Sequence, residues 1–212
     1  MAIANTSAKT RMRRGRKRPI AGQGEIVAAA RAIGERDGWG AVTIRSVAQK
    51  LGYTSPLLYE HFRDKQELLT RITVEAMAML ERELTRDLPE DPVAALETMA
   101  ERYWAFLLEH TQLYRLMNGM DGVPIDREAA GRAAEGMCGV VAGAVRPLLG
   151  GEATQAEARI LADELWALLH GMASLYLDRS APFNVARVTH AAMRLIRGSQ
   201  GAKLQLGVDA GG

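Results

Sequence analysis

Cysteine is almost missing from this 212-residue chain. Cys138 stands alone, so no intramolecular disulfide can form, and no CxxC or paired Cys/His spacing exists to hold a structural zinc. A reducing compartment, and with it a cytoplasmic location, is the expectation. Aromatic residues make up only 5% while Ala, Leu, Arg and Glu are abundant, a balance that disfavours a β-sandwich or barrel and favours helices. Long apolar runs are absent too: the charge-free stretch from Gly136 to Val145 is about half of what a bilayer span needs, so no membrane partner is expected. No apolar stretch follows the basic first twenty residues, as a secretory signal would require. An Arg-rich, acid-poor start is also the composition of a mitochondrial transit peptide, an alternative that composition leaves open. The signatures of common enzyme classes are missing as well. His61, His110, His170 and His190 are not in HExxH spacing, no Gly-x-Ser-x-Gly occurs, and no glycine-rich phosphate loop precedes a helix. No catalytic residue, cofactor or metal is therefore expected. Apolar residues at 48% and charged residues at 25% exclude wholesale disorder and leave a globular chain of one domain, or two small ones sharing a core.

Charge is unevenly placed. Residues 1–75 carry 14 Lys and Arg against 7 Asp and Glu, whereas residues 76–212 carry 13 against 18. Seven cations, from Lys9 to Arg18, precede the first acidic residue, Glu25. Self-repulsion and the lack of apolar periodicity predict that residues 1–20 form a disordered basic arm suited to neutralising phosphates, with a solubilising tail as the plain alternative.

From Gly24 the pattern is helical. Ile26, Ala29, Ala30 and Ile33 share one face, and Asp37-Gly38 with Gly40 ends the element. Thr43 is a natural N-cap for a short second helix with Ile44, Val47, Ala48 and Leu51 inward and Gly52 as its stop. Thr54 or Ser55 can cap a third helix, with Pro56 in its first turn and Leu58 and Phe62 inward. Asp64 to Glu67 reads as a capping box opening a long fourth helix. Two short amphipathic helices joined through a glycine turn describe a helix-turn-helix, or equally any bundle with short connections; the basic arm upstream favours the first. Further helices are predicted from Val93 to Met117, Asp126 to Leu148, Thr154 to Leu177 and Asn184 to Ile196, so the fold class is all-α. Gly131, Gly136, Gly139 and Gly143 fall in one of these helices, where close packing would offset their cost of up to about 1 kcal/mol each.

The run Thr43-Ile-Arg-Ser-Val-Ala-Gln-Lys-Leu-Gly52, followed by Tyr53 to Phe62 and Lys65-Gln-Glu-Leu68, resembles the DNA-binding domain of the TetR family of transcriptional regulators. The ending Leu-Tyr-x-His-Phe-x-x-Lys is its most specific part; Tyr53, where the family more often has a small branched apolar residue, is a departure. Trp166-Ala-Leu-Leu-His170-Gly171, with His110 ahead of Leu113 to Met117, is similar to a subgroup carrying a Trp-x-x-x-His-Gly signature, although Thr111 stands where Pro is frequent. The resemblance implies a basic arm (1–20), a helix-turn-helix domain (21–70), a helical ligand-binding and dimerisation domain (71–198) and a flexible tail (199–212). It further implies a homodimer on palindromic double-stranded DNA, released by a small, partly apolar inducer, and not an enzyme.

On that reading the third helix enters the major groove. Thr54, Ser55 and Tyr59 offer hydroxyls to phosphates or base edges, Leu57 meets a thymine methyl, and Pro56 lies on the same face. Thr43 and Arg45, at the start of the second helix, and His61 and Lys65 suit backbone phosphates. Arg14, Arg16, Lys17 and Arg18 of the arm lie along a neighbouring minor groove or bind phosphates diffusely. The ligand candidates are side chains with apolar bodies and a few polar tips. They are Trp104, Leu107, His110, Tyr114 and Met117 from one stretch, with Met137, Trp166, His170 and Tyr176 further on. Each is equally at home in a core, and His170 could simply brace a helix packing on Gly171. The rival readings are a non-specific basic nucleic-acid binder and a small helical enzyme.

Overall fold

The computed structural model describes residues 22–150, 153–179 and 185–201. The arm cations Arg14, Arg16, Lys17 and Arg18, and the tail from residue 202 on, lie outside the described residues. The described chain is all-α, with no strand among these residues.

The first three helices form where the caps and periodicity demand. α1 (Gln23–Asp37) turns Ile26, Ala30 and Ile33 inward and ends at Gly38, after which a 3-10 turn (Trp39–Ala41) leads to α2. α2 (Ile44–Leu51) opens on a reciprocal cap: Thr43 Oγ1 accepts from the Ser46 N–H at 2.9 Å, and Ser46 Oγ accepts from the Thr43 N–H at 2.9 Å. Gly52 stops it in the left-handed region at φ 72°, which only glycine enters without strain. α3 (Ser55–Tyr59) follows, capped by Thr54 and not by Ser55. Asp64 caps α4 (Lys65–Thr85) by accepting from the Glu67 N–H at 2.8 Å, while Glu67 reaches back to the Arg63 N–H. That hydrogen bond is the main reason the Asp64 carboxyl is held below its usual range.

Beyond α4, α5 (Pro92–Glu109) and α6 (Thr111–Met117) replace the single helix predicted from Val93 to Met117. The break is at His110, whose φ of −122° and ψ of 43° are not helical. No proline or glycine causes it. The turn aims the N-terminus of α6 at the helix-turn-helix, where the Gln112 carbonyl accepts from the Trp39 indole N–H at 2.7 Å. α7 (Arg127–Leu149), α8 (Gln155–Arg179) and α9 (Val185–Gly201) complete the bundle, the last running past the predicted end at Ile196. α7 and α8 pack side by side, and α4 lies against α5, α6 and α7.

The expected boundary at residue 70/71 falls inside α4, which runs through it without a break. One hydrophobic core extends across it, from Ile26 and Val47 through Leu68 and Leu69 to Leu107, Tyr114 and Met137. A smaller core lies between α5, α7, α8 and α9, around Ala142, Leu161, Leu165 and Ile196. The expected close packing on the α7 glycines is not found among the described residues. A methyl added at Gly131, Gly139 or Gly143 would meet nothing within 4 Å, and one at Gly136 would meet only the end of Glu81.

Candidate functional site

α2 and α3 present one polar face. Burial of Val47, Ala48, Leu58 and Phe62 fixes which way these short helices turn, and the opposite sides are then left in solvent. Arg45, Thr54, Pro56 and Tyr59 are exposed, and Ser55 and Leu57 are half-buried beside them. Tyr59 is 55% exposed, unusual for so large a side chain. Thr54 caps α3 through its backbone alone, so its hydroxyl is not spent on the cap. Thr43 differs: it is exposed, but its hydroxyl already holds the Ser46 N–H.

Of the residues expected at phosphates, Lys65 makes contacts inside the fold. Lys65 Nζ donates to the carbonyls of Trp39 at 2.8 Å and Gly40 at 3.3 Å, fastening the end of the 3-10 turn to the start of α4. Of its three N–H donors, two are directed at these carbonyls. Partial burial pushes the ammonium pKa down. His61 is half-buried, and its Nε2 is shut away from solvent without a hydrogen-bond partner among the described residues, so an outside contact through that atom needs the ring to turn.

Trp39, absent from the sequence-derived candidates, is the bolt between this unit and the bundle. Its ring is 1% exposed and lies so close over Gly34 that an added methyl would sit 2.3 Å from Cε3 and Cζ3. Its N–H is given to α6 and its carbonyl receives Lys65. The signal available was an isolated Trp five residues after a helical glycine.

In the bundle, the ligand candidates divide. Leu107, Tyr114, Met117, Met137 and Trp104 are buried in the main core, Trp104 edge-on to the Tyr176 ring at 4.8 Å. Tyr114 and His170 do meet: Tyr114 Oη is 2.8 Å from His170 Nδ1 and 2.9 Å from the Tyr103 hydroxyl. Two hydroxyl protons satisfy both links if Tyr103 donates to Tyr114 and Tyr114 donates to an unprotonated His170 Nδ1. Burial pushes the Tyr114 phenol up to about 12 and raises Tyr103 well above its ordinary value, and it pushes the His170 imidazole down, so all three are neutral together. Tyr103 is missing from the sequence-derived candidates; its one signal there is its place beside Trp104 on the inward side of α5. Among the described residues nothing lies within 4 Å of where a Gly171 methyl would stand, and His170 instead meets α6 through Tyr114.

His110 is not part of this group. It sits at the α5–α6 break facing Glu35 of α1 at 3.7 Å and Glu109 at 3.8 Å. A narrow apolar crevice opens elsewhere, between α5, α8 and α9, with Leu84 of α4 and Val141 of α7 also in its wall. Trp166 is the one ligand candidate that lines it. Cys138 is half-buried, and burial, with Asp163 nearby, pushes its thiol up, away from reactivity. Among the described residues no group of three or more His, Cys, Asp or Glu is placed to hold a metal, and no helix is long and apolar enough to cross a membrane.

A capped helix-turn-helix bolted to a helical bundle defines a class of DNA-binding regulators, and comparison with known proteins agrees. Residues 26–72 match the model of the bacterial regulatory proteins of the tetR family, and residues 96–198 match that of a tetracyclin repressor-like C-terminal domain. The chain belongs to the TetR family and is a transcriptional regulator, not an enzyme. No curated protein matches it. Among solved structures, it is similar to a protein of unknown function from Rhodococcus sp. RHA1, at 23% identity and a TM-score of 0.68 over 83% of this chain and 94% of that one. The TetR family regulator PfmR from Thermus thermophilus is similar at 20% identity and a TM-score of 0.58, over 81% and 96%. The fatty acid degradation regulator FadR from Bacillus halodurans is similar at 12% identity and 0.64, over 82% and 93%. At these identities the likenesses speak for the fold.

Proposed function

We propose that this regulator is a homodimeric repressor that binds palindromic operator DNA through α2 and α3 and is released by a small, partly apolar ligand held in the bundle. The observation that carries the DNA part is the exposed face of Arg45, Thr54 and Tyr59, with the polybasic arm just upstream. Dimerisation is supported by the outer side of α8. Ala167, Gly171 and Leu175 recur at four-residue spacing, all exposed, with Leu175 at 50%. A mid-helix glycine costs about 1 kcal/mol relative to Ala, and among the described residues of one chain no close contact at Gly171 offsets it. A second copy of α8 packing closely there accounts for both the glycine and the exposed leucine. A two-fold axis then sets the reading heads on half-sites one or more turns of DNA apart, about 34 Å each.

Ligand and DNA are coupled through states of the dimer, an effect typically worth about 1–3 kcal/mol and reciprocal by linkage. The deciding experiment is recovery of sheared genomic DNA by the purified protein at moderate salt, followed by sequencing. A shared palindrome supports the reading. Uniform recovery without a motif refutes it in favour of a non-specific basic binder.

A further inference from the structure

Tyr103, Tyr114 and His170 tie α5, α6 and α8 together at one point, and counting hydrogens decides what that tie tolerates. The chain from Tyr103 Oη through Tyr114 Oη to His170 Nδ1 has two links, at 2.9 Å and 2.8 Å, and each holds one hydrogen. The two phenols supply both, provided Nδ1 is bare and the neutral ring carries its proton on Nε2. A further proton can then land only on Nδ1, which makes three hydrogens for two links. The surplus has no outlet: Tyr103 is 2% exposed and Tyr114 1%, and neither hydroxyl meets another partner among the described residues. A buried donor without an acceptor is costly, so a protonated His170 and an intact tie oppose one another.

The ring is open to that proton, being only half-buried. The titratable groups facing it are Tyr114 of α6 and, behind it, Tyr103 of α5. α8 also packs against α7 and α9, yet among the described residues no Asp, Glu, Lys or Arg pairs with the ring. Its neighbours one turn away on α8, Trp166, Ala167, Ala173 and Ser174, are uncharged. Burial alone moves its pKa, downwards, so the tie holds at neutral pH and is opposed in acid. α6 receives the consequence. This short helix carries Tyr114 and also Gln112, whose carbonyl holds the Trp39 indole N–H at 2.7 Å.

We propose that Tyr103, Tyr114 and His170 form an acid-released latch: one proton taken up at His170 Nδ1 breaks the tie to Tyr114, loosens α6 and the Trp39 bolt it holds, and lets the helix-turn-helix move against the bundle. For DNA, a step that rests on the operator-binding reading above, reading heads no longer held in place bind a palindrome less tightly, because the ordering must be made up on binding. The test runs first without DNA, by NMR on full-length isotope-labelled protein from about pH 8 to about pH 5. Long-range proton–nitrogen correlations, assigned by their loss in His170→Asn, should show His170 as the Nε2–H tautomer at the alkaline end. The Trp39 indole N–H, assigned with Trp39→Phe, is then followed by hydrogen exchange, each pH being compared with His170→Asn, whose side-chain oxygen accepts at the Nδ1 position and does not titrate. As His170 titrates, the parent should become at least about tenfold less protected than this variant. Tyr114→Phe should be unprotected at every pH, with thermal melting as the control for folding. An Nδ1–H tautomer at the alkaline end overturns the latch. So does a His170 that takes up no proton above about pH 5, or Trp39 protection that changes equally in the parent and His170→Asn. Gel shifts at about pH 7.5 and about pH 5.5 read the DNA step, with the parent expected to lose at least about tenfold in operator affinity relative to His170→Asn. An equal loss refutes that step, and failure to find any operator would remove the regulator reading while the exchange data still decide the latch.

Discussion

Gly34→Ala is a test of the Trp39 bolt. In an exposed helix this change would stabilise by about 1 kcal/mol, because alanine has the higher helix propensity. Here the new methyl would stand 2.3 Å from two atoms of the Trp39 ring, against an ordinary carbon–carbon separation of about 3.5–4.0 Å. The ring must therefore retreat by more than an ångström, and it has nowhere to go. It is 1% exposed, its N–H is held by the Gln112 carbonyl at 2.7 Å, and its own carbonyl is held by Lys65. Overpacking of this kind costs about 1–3 kcal/mol, and the rigid surroundings place it at the upper end. Offset by the propensity gain, the net loss is about 2 kcal/mol, or about 4–8 °C in Tm for a chain of this size. Urea and thermal unfolding at fixed protein concentration measure it, since a dimer's stability depends on concentration. The cycle with Trp39→Leu isolates the clash: in that background Gly34→Ala should be neutral or stabilising by up to about 1 kcal/mol. A single Gly34→Ala variant that melts at or above the parent temperature refutes the claim that this contact is rigid.

Other expectations follow from the same geometry. Tyr59→Ala should weaken operator binding by about 1–3 kcal/mol at unchanged Tm, whereas Lys65→Ala should lower Tm as well, because its ammonium also closes the 3-10 turn; gel-shift titration beside calorimetry separates the two. Burial holds the His170 imidazole below its ordinary value of about 6.5, so the unfolded chain takes up the proton first. Its contribution to stability is complete above about pH 6.5 and is lost as pH falls toward the depressed folded value; His170→Gln should remove that slope from a Tm-versus-pH series. Gly171→Phe should shift the protein toward monomer in sedimentation while leaving helicity intact, and an unchanged dimer would place the interface elsewhere. Deleting residues 1–18 should flatten the salt dependence of operator binding, about −9 in log–log slope for about ten neutralised phosphates, while keeping sequence preference; loss of preference would make the arm the reader.

Local chemistry was legible in the residues themselves. Thr43 with Ser46, Gly52 and Asp64 set the ends of α2 and the start of α4, and the spacing of Ile26, Val47, Leu58 and Leu68 chose the buried face. Caps act within one turn and periodicity along one helix, so neither needs to know what lies elsewhere in the fold. The exposed α3 face followed as the remainder. What only the tertiary structure decided depends on side chains distant in sequence. His110 breaks a helix that carries no breaker, since the short α6 is turned to meet Trp39. Lys65 looks like a free cation at a helix start until the carbonyls of Trp39 and Gly40 are brought beside it. The aromatic and methionine residues of α5 to α8 look alike as candidates, and packing alone assigns most of them to the core, His110 to the surface by Glu35, and Trp166 to the wall of a narrow apolar crevice. A periodic sequence dictates which way a side chain faces along its own helix; whether it meets a partner, a void or water is fixed by how the helices are set against one another.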